Sequence, residues 1–289
     1  MTQAPEAWHA ALNRLQLSGT PHVLATQVTS AGSTPREPGA RMVITADTIF
    51  DTLGGGTFEW QTISAARDFL QQGSAGFHLE TFSLGGRSGQ CCGGFVNVLL
   101  EVFPGVSSHI ALFGAGHVGC EIVKLSAPLP WHLDWYDSRT DIFDEQDDQQ
   151  PRLSCHTLTS PQESVLALPP HCHVLVLTHN HDEDYALIAA LLRRADIASI
   201  GLIGSDSKWT SFQSRLKRDG YKPEEIQRVR CPIGAVHGTK LSNKTPYAIA
   251  MTVVTELLWL TDKPTADQNR GLEPDALRSL FHDTATNPS

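Results

Sequence analysis

The apolar positions change period along the chain. Residues 8–17 carry Trp8, Ala11, Leu12 and Leu15 at helical spacing and predict a helix. Residues 22–28 read as a strand, and Arg41-Met42-Val43-Ile44 as another after a turn-rich stretch. A helix is predicted over 59–71 and a strand over 95–102. Beyond residue 105 short apolar strands alternate with helical patterns. The strands fall at 109–113, 131–137, 154–158, 174–178 and 199–204, and the helices at 120–126, after Gly119, then 161–168, 183–195 and 206–219. A last helix over 246–260 opens on Pro246, whose fixed φ suits a first turn. Such alternation predicts a parallel sheet covered on both faces. The fold class is therefore α/β: an N-terminal mixed α/β domain rich in glycine loops and a C-terminal Rossmann-like parallel-sheet domain. Pro104-Gly105-Val106-Ser107-Ser108 reads as the linker. The expected division is 1–104, 105–265 and a polar tail, 266–289.

Composition narrows the partners. The chain has 289 residues, 22 Lys and Arg against 31 Asp and Glu, a net charge of −9, and 40% hydrophobic residues. This is the composition of a folded globular protein rather than a disordered one. An acidic balance disfavours nucleic acid and anionic membrane surfaces, both of which need clustered Lys and Arg. The longest apolar stretch, 248–260, is broken by Thr252, Thr255 and Glu256 and is too short to span a bilayer. The opening Met1-Thr2-Gln3-Ala4-Pro5-Glu6 is not a basic-then-apolar leader, so a cytoplasmic location is expected. Six cysteines then read as reduced thiols. Cys120, Cys155, Cys172 and Cys231 are expected in packing or turn positions.

Cys91 and Cys92 need a different account. They stand among Gly89, Gly93 and Gly94, and glycine offers no packing to a core thiol. A loop thiol is an accessible nucleophile or soft metal ligand when its pKa is lowered, and Arg87 is close enough in sequence to lower it. Arg36 and Arg41 can do so only if the fold brings them near. With no Cys-x-x-Cys, structural zinc and iron–sulfur clusters are not expected. Two further glycine clusters lie at 32–40 and 54–56.

The second half carries Gly114-x-Gly116-x-x-Gly119 between a predicted strand and a predicted helix. In a dinucleotide-binding turn the first glycine makes the bend, the second admits a pyrophosphate and the third packs helix on strand. Asp137 ends the next strand, about 20 residues on, where a ribose-binding carboxylate stands. Arg139 follows and could instead favour a 2′-phosphate. NAD(P) is the cofactor this pattern allows, and an NAD(P)-dependent oxidoreductase is one reading. His179-Asn180-His181 has metal-loop spacing, but Glu183 and Asp184 are followed by Tyr185 rather than a third histidine. The alternative is a strand-to-helix loop with Asp182 or Asp184 beside free helix N–H groups. Ser205 is a candidate cap for the helix holding Lys208, and Gly204 and Ser205 could reach the same crevice.

Several separated motifs occur together. They are Gly32-Ser33-Thr34-Pro35-Arg36 with Gly39-Ala40-Arg41-Met42, then Leu53-Gly54-Gly55-Gly56-Thr57-Phe58-Glu59, and Gly89-Gln90-Cys91-Cys92-Gly93-Gly94. Phe113-Gly114-Ala115-Gly116-His117-Val118-Gly119, Asp137-Ser138-Arg139, Thr178-His179-Asn180-His181, Ile200-Gly201-Leu202-Ile203-Gly204-Ser205, Cys231-Pro232-Ile233-Gly234 and Thr245-Pro246 follow in order. Over roughly residues 20–260 the chain resembles the XdhC-type (XdhC/CoxI family) xanthine dehydrogenase accessory proteins. Tyr247 and Ala248 depart from the acidic residues usual after Thr-Pro in that family.

The resemblance implies a bacterial cytoplasmic chaperone rather than a catalyst. Such a protein binds molybdenum cofactor in its molybdopterin form and protects it during sulfuration by a cysteine desulfurase. It then delivers the cofactor to apo-xanthine dehydrogenase, and a homodimer is the family expectation. The family cysteine falls on Cys92, a molybdenum ligand in this reading, with Cys91 beside it. Gly93, Gly94, Arg36, Gly114, Gly116, Gly119 and Asp137 complete the expected cofactor-binding set.

Overall fold

The computed structural model describes residues 6–31, 36–83, 95–143, 150–235 and 241–262. Their contacts separate two compact units, meeting in sequence at Gly105 and Val106.

The first unit is built on an antiparallel sheet. Its elements are α1 (Trp8–Ser18), β1 (His22–Ala31), β2 (Arg41–Ile44), β3 (Ile49–Phe50), α2 (Gly56–Gln71), β4 (Gly76–Ser83) and β5 (Phe95–Phe103). The strand order is β3-β2-β1-β5-β4, with every neighbouring pair antiparallel. β1 lies in the middle, and side chains of opposite parity are buried on its two faces. Val23 and Ala25 join Val96, Val98, Leu100 and Phe58 under α2, while Leu24 joins Leu15 and Val43 under α1. α2 starts where Glu59 reaches back to the preceding loop. Its Oε2 accepts the Leu53 N–H at 2.7 Å, the Gly55 N–H at 3.1 Å and the Thr52 hydroxyl. β4 breaks the pattern of the other strands. It is an edge strand whose only buried side chain is Phe82, so no apolar alternation announces it.

The second unit is a six-stranded parallel sheet. It comprises β6 (Ser108–Phe113), α3 (His117–Ser126), β7 (Trp131–Asp137), β8 (Leu153–Thr157), α4 (Pro161–Ala167), β9 (His173–Val176), α5 (His181–Leu192), β10 (Ser199–Leu202), α6 (Asp206–Arg218), α7 (Pro223–Ile226), β11 (Val229–Arg230) and α8 (Pro246–Thr261). The order is β11-β10-β9-β6-β7-β8 and all five pairings are parallel. This is the doubly wound Rossmann order, with its reversal between β6 and β9. One face packs Phe113, Val174 and Val176 against Leu187, Ile188 and Leu191 of α5, and the other packs Ile110, Leu112 and Leu175 against α3 and α8. The α/β expectation thus holds in both halves. Among the described residues no helix is long and apolar enough to cross a membrane.

Candidate functional site

A parallel sheet opens a crevice where neighbouring strands send their chains to opposite faces. Here that point lies between β6, which leads to α3, and β9, which leads to α5. The loop after β6 is held tightly at first. The Gly114 N–H donates to the Tyr136 carbonyl at 2.7 Å, and the Trp135 indole donates to the Gly114 carbonyl at 3.2 Å. Gly114 has φ +119°, and a Cβ there would stand 2.2 Å from the Leu177 carbonyl oxygen. No other residue fits a left-handed turn pressed against the β9 backbone.

At Gly116 the loop opens. Its φ is −80°, available to any residue, and a Cβ there would meet nothing within 4 Å. The space beside Gly116 is therefore not filled by the described residues. Gly116 is also the N-cap of α3, which has no side-chain cap and no acidic residue in its first turn. The other helices of this sheet start differently. Asn180 accepts the Asp182 N–H at 2.8 Å, Ser205 accepts the Lys208 N–H at 3.2 Å, and Ser160 accepts the Glu163 N–H at 3.3 Å. The α3 terminus thus has neither a side-chain acceptor nor an acid in its first turn to offset its first N–H groups and positive dipole end.

Asp137 closes the second side. Its carboxylate is buried, with the side chain 1% exposed. Oδ2 accepts the Ala115 N–H at 2.7 Å and Arg139 Nη2 at 2.8 Å; Oδ1 accepts the Arg139 N–H at 3.0 Å and Nε at 2.8 Å. Burial pushes this carboxyl up, but the Arg139 guanidinium and the two backbone N–H groups outweigh it and hold the pKa at about 2. Asp137 thus braces the glycine loop and is paired with the residue two positions on.

The far wall comes from the loops after β9 and β10. Asp184 is fully buried and accepts the Thr178 N–H at 3.0 Å, the Thr178 hydroxyl at 2.8 Å and the Lys208 ammonium at 2.5 Å. Lys208 also donates to the Ile203 carbonyl at 3.1 Å. Asp182 and Asp184 stand in the first turn of α5, as the sequence leads one to expect; Asn180 is the cap, and Asp184 joins two crevice loops across the sheet. Three acids in a row look alike in sequence, and only Lys208 on another helix singles Asp184 out. Ser205 caps α6 as expected. His179 and His181 are exposed, and among the described residues no group of three His, Cys, Asp or Glu could hold a metal ion.

In the first unit, the sheet register brings the ends of three strands together. Ala31 of β1 and Ser83 of β4 both pair with Phe95, the first residue of β5. Ala31, Ser83 and Phe95 therefore lie side by side at one end of the sheet. Just inside it a polar row crosses the strands. Thr81 donates to Asn97 Oδ1 at 2.6 Å, and Asn97 Nδ2 donates to the Thr29 hydroxyl at 2.7 Å. The row has no sequence motif. A bulge between Gln27 and Thr29 sets Thr29 opposite Asn97. Gln27 is fully buried and donates from Nε2 to the Arg36 carbonyl at 3.0 Å, fixing that turn. Its Oε1 is buried with no donor among the described residues. The Arg41 guanidinium lies 4.9 Å over the Trp8 ring, on the α1 side. Cys91, Cys92, Gly93, Gly94 and Arg87 lie outside the described residues.

The chain matches the family described as XdhC Rossmann domain over residues 110–257 and that described as XdhC and CoxI family over residues 15–83. It is 30% identical over 253 residues to the uncharacterized protein YqeB of Escherichia coli K12. That alignment covers 85% of this chain and 44% of YqeB, so the chain spans less than half the length of this relative. A crystal structure described as a xanthine dehydrogenase from Bacillus halodurans aligns with a TM-score of 0.47 and 18% identity, covering 92% of this chain and 99% of that one.

Proposed function

The chain belongs to the XdhC family, and from that premise we propose that it is a maturation factor for a molybdenum hydroxylase of the xanthine dehydrogenase type. It binds molybdenum cofactor as cargo, shelters it while a cysteine desulfurase sulfurates it, and delivers it to the apoenzyme. The work is cytoplasmic, and the protein acts as a homodimer. It is a carrier rather than a catalyst.

The observation that carries this reading is the open space beside Gly116 at an uncapped helix terminus. The molybdopterin phosphate is the group that suits it. The N–H groups of α3 receive the phosphate, and Gly116 lets the backbone approach it. Gly114 and Gly119 keep the loop in place. The cysteine of the family motif, Cys92 with Cys91 beside it, is the soft thiolate proposed for the cargo's molybdenum.

The test is anaerobic co-expression with an active molybdopterin pathway, followed by assay of bound pterin and molybdenum. Wild-type protein should carry the cofactor in roughly stoichiometric amount, and Cys92→Ala should lose most of it. Wild type that never carries pterin overturns the carrier reading. Full retention by Cys92→Ala overturns the thiol assignment alone.

A further inference from the structure

We propose that Arg139 sets the specificity of the crevice by closing Asp137 against a ribose diol, so that the site takes a phosphorylated ligand without ribose there and refuses nicotinamide dinucleotides. This rests on the reading of the crevice as a phosphate site.

A carboxylate has a limited capacity to accept hydrogen bonds. In a dinucleotide-binding fold the acid ending the second strand accepts hydrogen bonds from the ribose hydroxyls. Two carboxylate oxygens offer about four lone-pair directions. At Asp137 four donors already occupy them: the N–H groups of Ala115 and Arg139, and Nε and Nη2 of Arg139. With the side chain 1% exposed, no acceptor edge faces the crevice.

Opening Asp137 to a sugar means breaking the bidentate bonds from Arg139. Charge-assisted bonds of this kind are roughly twice as strong as the neutral hydroxyl bonds that would replace them. The exchange is therefore unfavourable unless the ligand contributes elsewhere. The clamp is also local, because Arg139 follows Asp137 by two residues and its own N–H joins the same carboxylate. No distant element has to move for it to form. Its guanidinium stays 42% exposed. The Asp137 charge is thereby paired and neutralised. Glu183 and Cys120 are the other titratable groups acting on Arg139. Asp137 has the position of a ribose acid, and its bonds make it a support for the loop.

The experiment titrates the full chain with NADH and NADPH, following nicotinamide fluorescence, and assays molybdopterin content on separate preparations. Wild type should show no saturable binding of either nucleotide up to about 1 mM. Arg139→Ala frees the Asp137 carboxylate and should bind NADH at least about tenfold more tightly than wild type. Arg139→Lys keeps the charge without the fork and should show a smaller gain, which serves if the alanine variant does not fold. Micromolar NADH or NADPH binding by wild type overturns the proposal, as does the absence of any gain in both variants. Wild type that carries molybdopterin and also binds NADH keeps the carrier function and overturns this specificity. Wild type that carries no molybdopterin yet refuses both nucleotides supports the specificity and overturns the carrier function.

Discussion

A Cβ on Gly119 would stand 2.2 Å from the carbonyl oxygen of Gly114. That oxygen is fixed, since the Trp135 indole donates to it and the Gly114 N–H is held by Tyr136. Gly119→Ala therefore has to push α3 away from the loop. Overpacking against backbone should cost about 1–3 kcal/mol. A urea unfolding midpoint unchanged from wild type would show that α3 yields freely and that this close approach is not required.

Gly116 stands three residues away in the same motif and has the opposite sensitivity. Nothing lies within 4 Å of the added Cβ, and its φ of −80° suits any side chain. Gly116→Val should keep its stability to within about 1 kcal/mol, the loss being that of a poorer N-cap residue. Retained molybdopterin should fall sharply, because the valine fills the space read as the phosphate's. Unchanged cofactor content in a well-folded variant would remove the ligand from this crevice.

This contrast marks how far the sequence could be read. The fingerprint Gly114, Gly116 and Gly119 was legible because strand, glycines and helix follow in order, and buried parallel strands read as unbroken apolar runs. The division of labour among the three glycines follows from the motif, but that Gly114 is pressed against the Leu177 carbonyl, far along the chain, was not legible. β4 escaped notice because an edge strand with one buried side chain has no apolar alternation to detect. The polar row from Thr29 through Asn97 to Thr81 joins three strands and carries no local signal. Cys91 and Cys92 were legible as unusual from their glycine neighbours, through composition rather than periodicity.

The Asp184–Lys208 pair should be sensitive to loss of one partner. Asp184 is fully buried and the Lys208 side chain is 10% exposed. Removing the ammonium by Lys208→Met leaves a buried carboxylate with only the Thr178 donors. Breaking one side of a buried ion pair costs about 3–5 kcal/mol. The double variant Asp184→Leu with Lys208→Met should recover part of that loss. Thermal melts in which the double variant is less stable than both single variants would mean the pair acts through something other than mutual compensation.

Acid should loosen the glycine loop before it reaches the sheet. Asp137 titrates at about 2 against an ordinary 3.8. A carboxylate with a depressed folded pKa stabilises the fold fully above its unfolded value and loses that contribution as pH falls toward the folded one. The window is therefore about pH 4 down to about pH 2. The contribution at neutral pH is on the order of 1–2 kcal/mol after allowing for the exposed Arg139 partner. Arg139→Ala should flatten the fall in stability across that window, read as the urea midpoint at a series of pH values. An identical pH profile in wild type and variant would take Arg139 out of the clamp.

Asn97 tests whether the polar row of the first unit serves the cysteine segment. Its side chain is buried, accepting from Thr81 on one neighbouring strand and donating to Thr29 on the other. Asn97→Ala leaves both threonine hydroxyls without this partner and should cost about 1–3 kcal/mol. Asn97→Asp keeps the acceptor for Thr81 and forces the Thr29 hydroxyl to donate, so it separates loss of shape from loss of bonding. If the row only holds the sheet, cofactor content should follow stability in both variants. Because Thr29, Thr81 and Asn97 each lie two residues inside the strand ends Ala31, Ser83 and Phe95, we expect more than that. Retained molybdopterin should fall in Asn97→Ala at temperatures well below its melting point. Full cofactor content in a destabilised but folded Asn97→Ala protein would confine the row to a structural role.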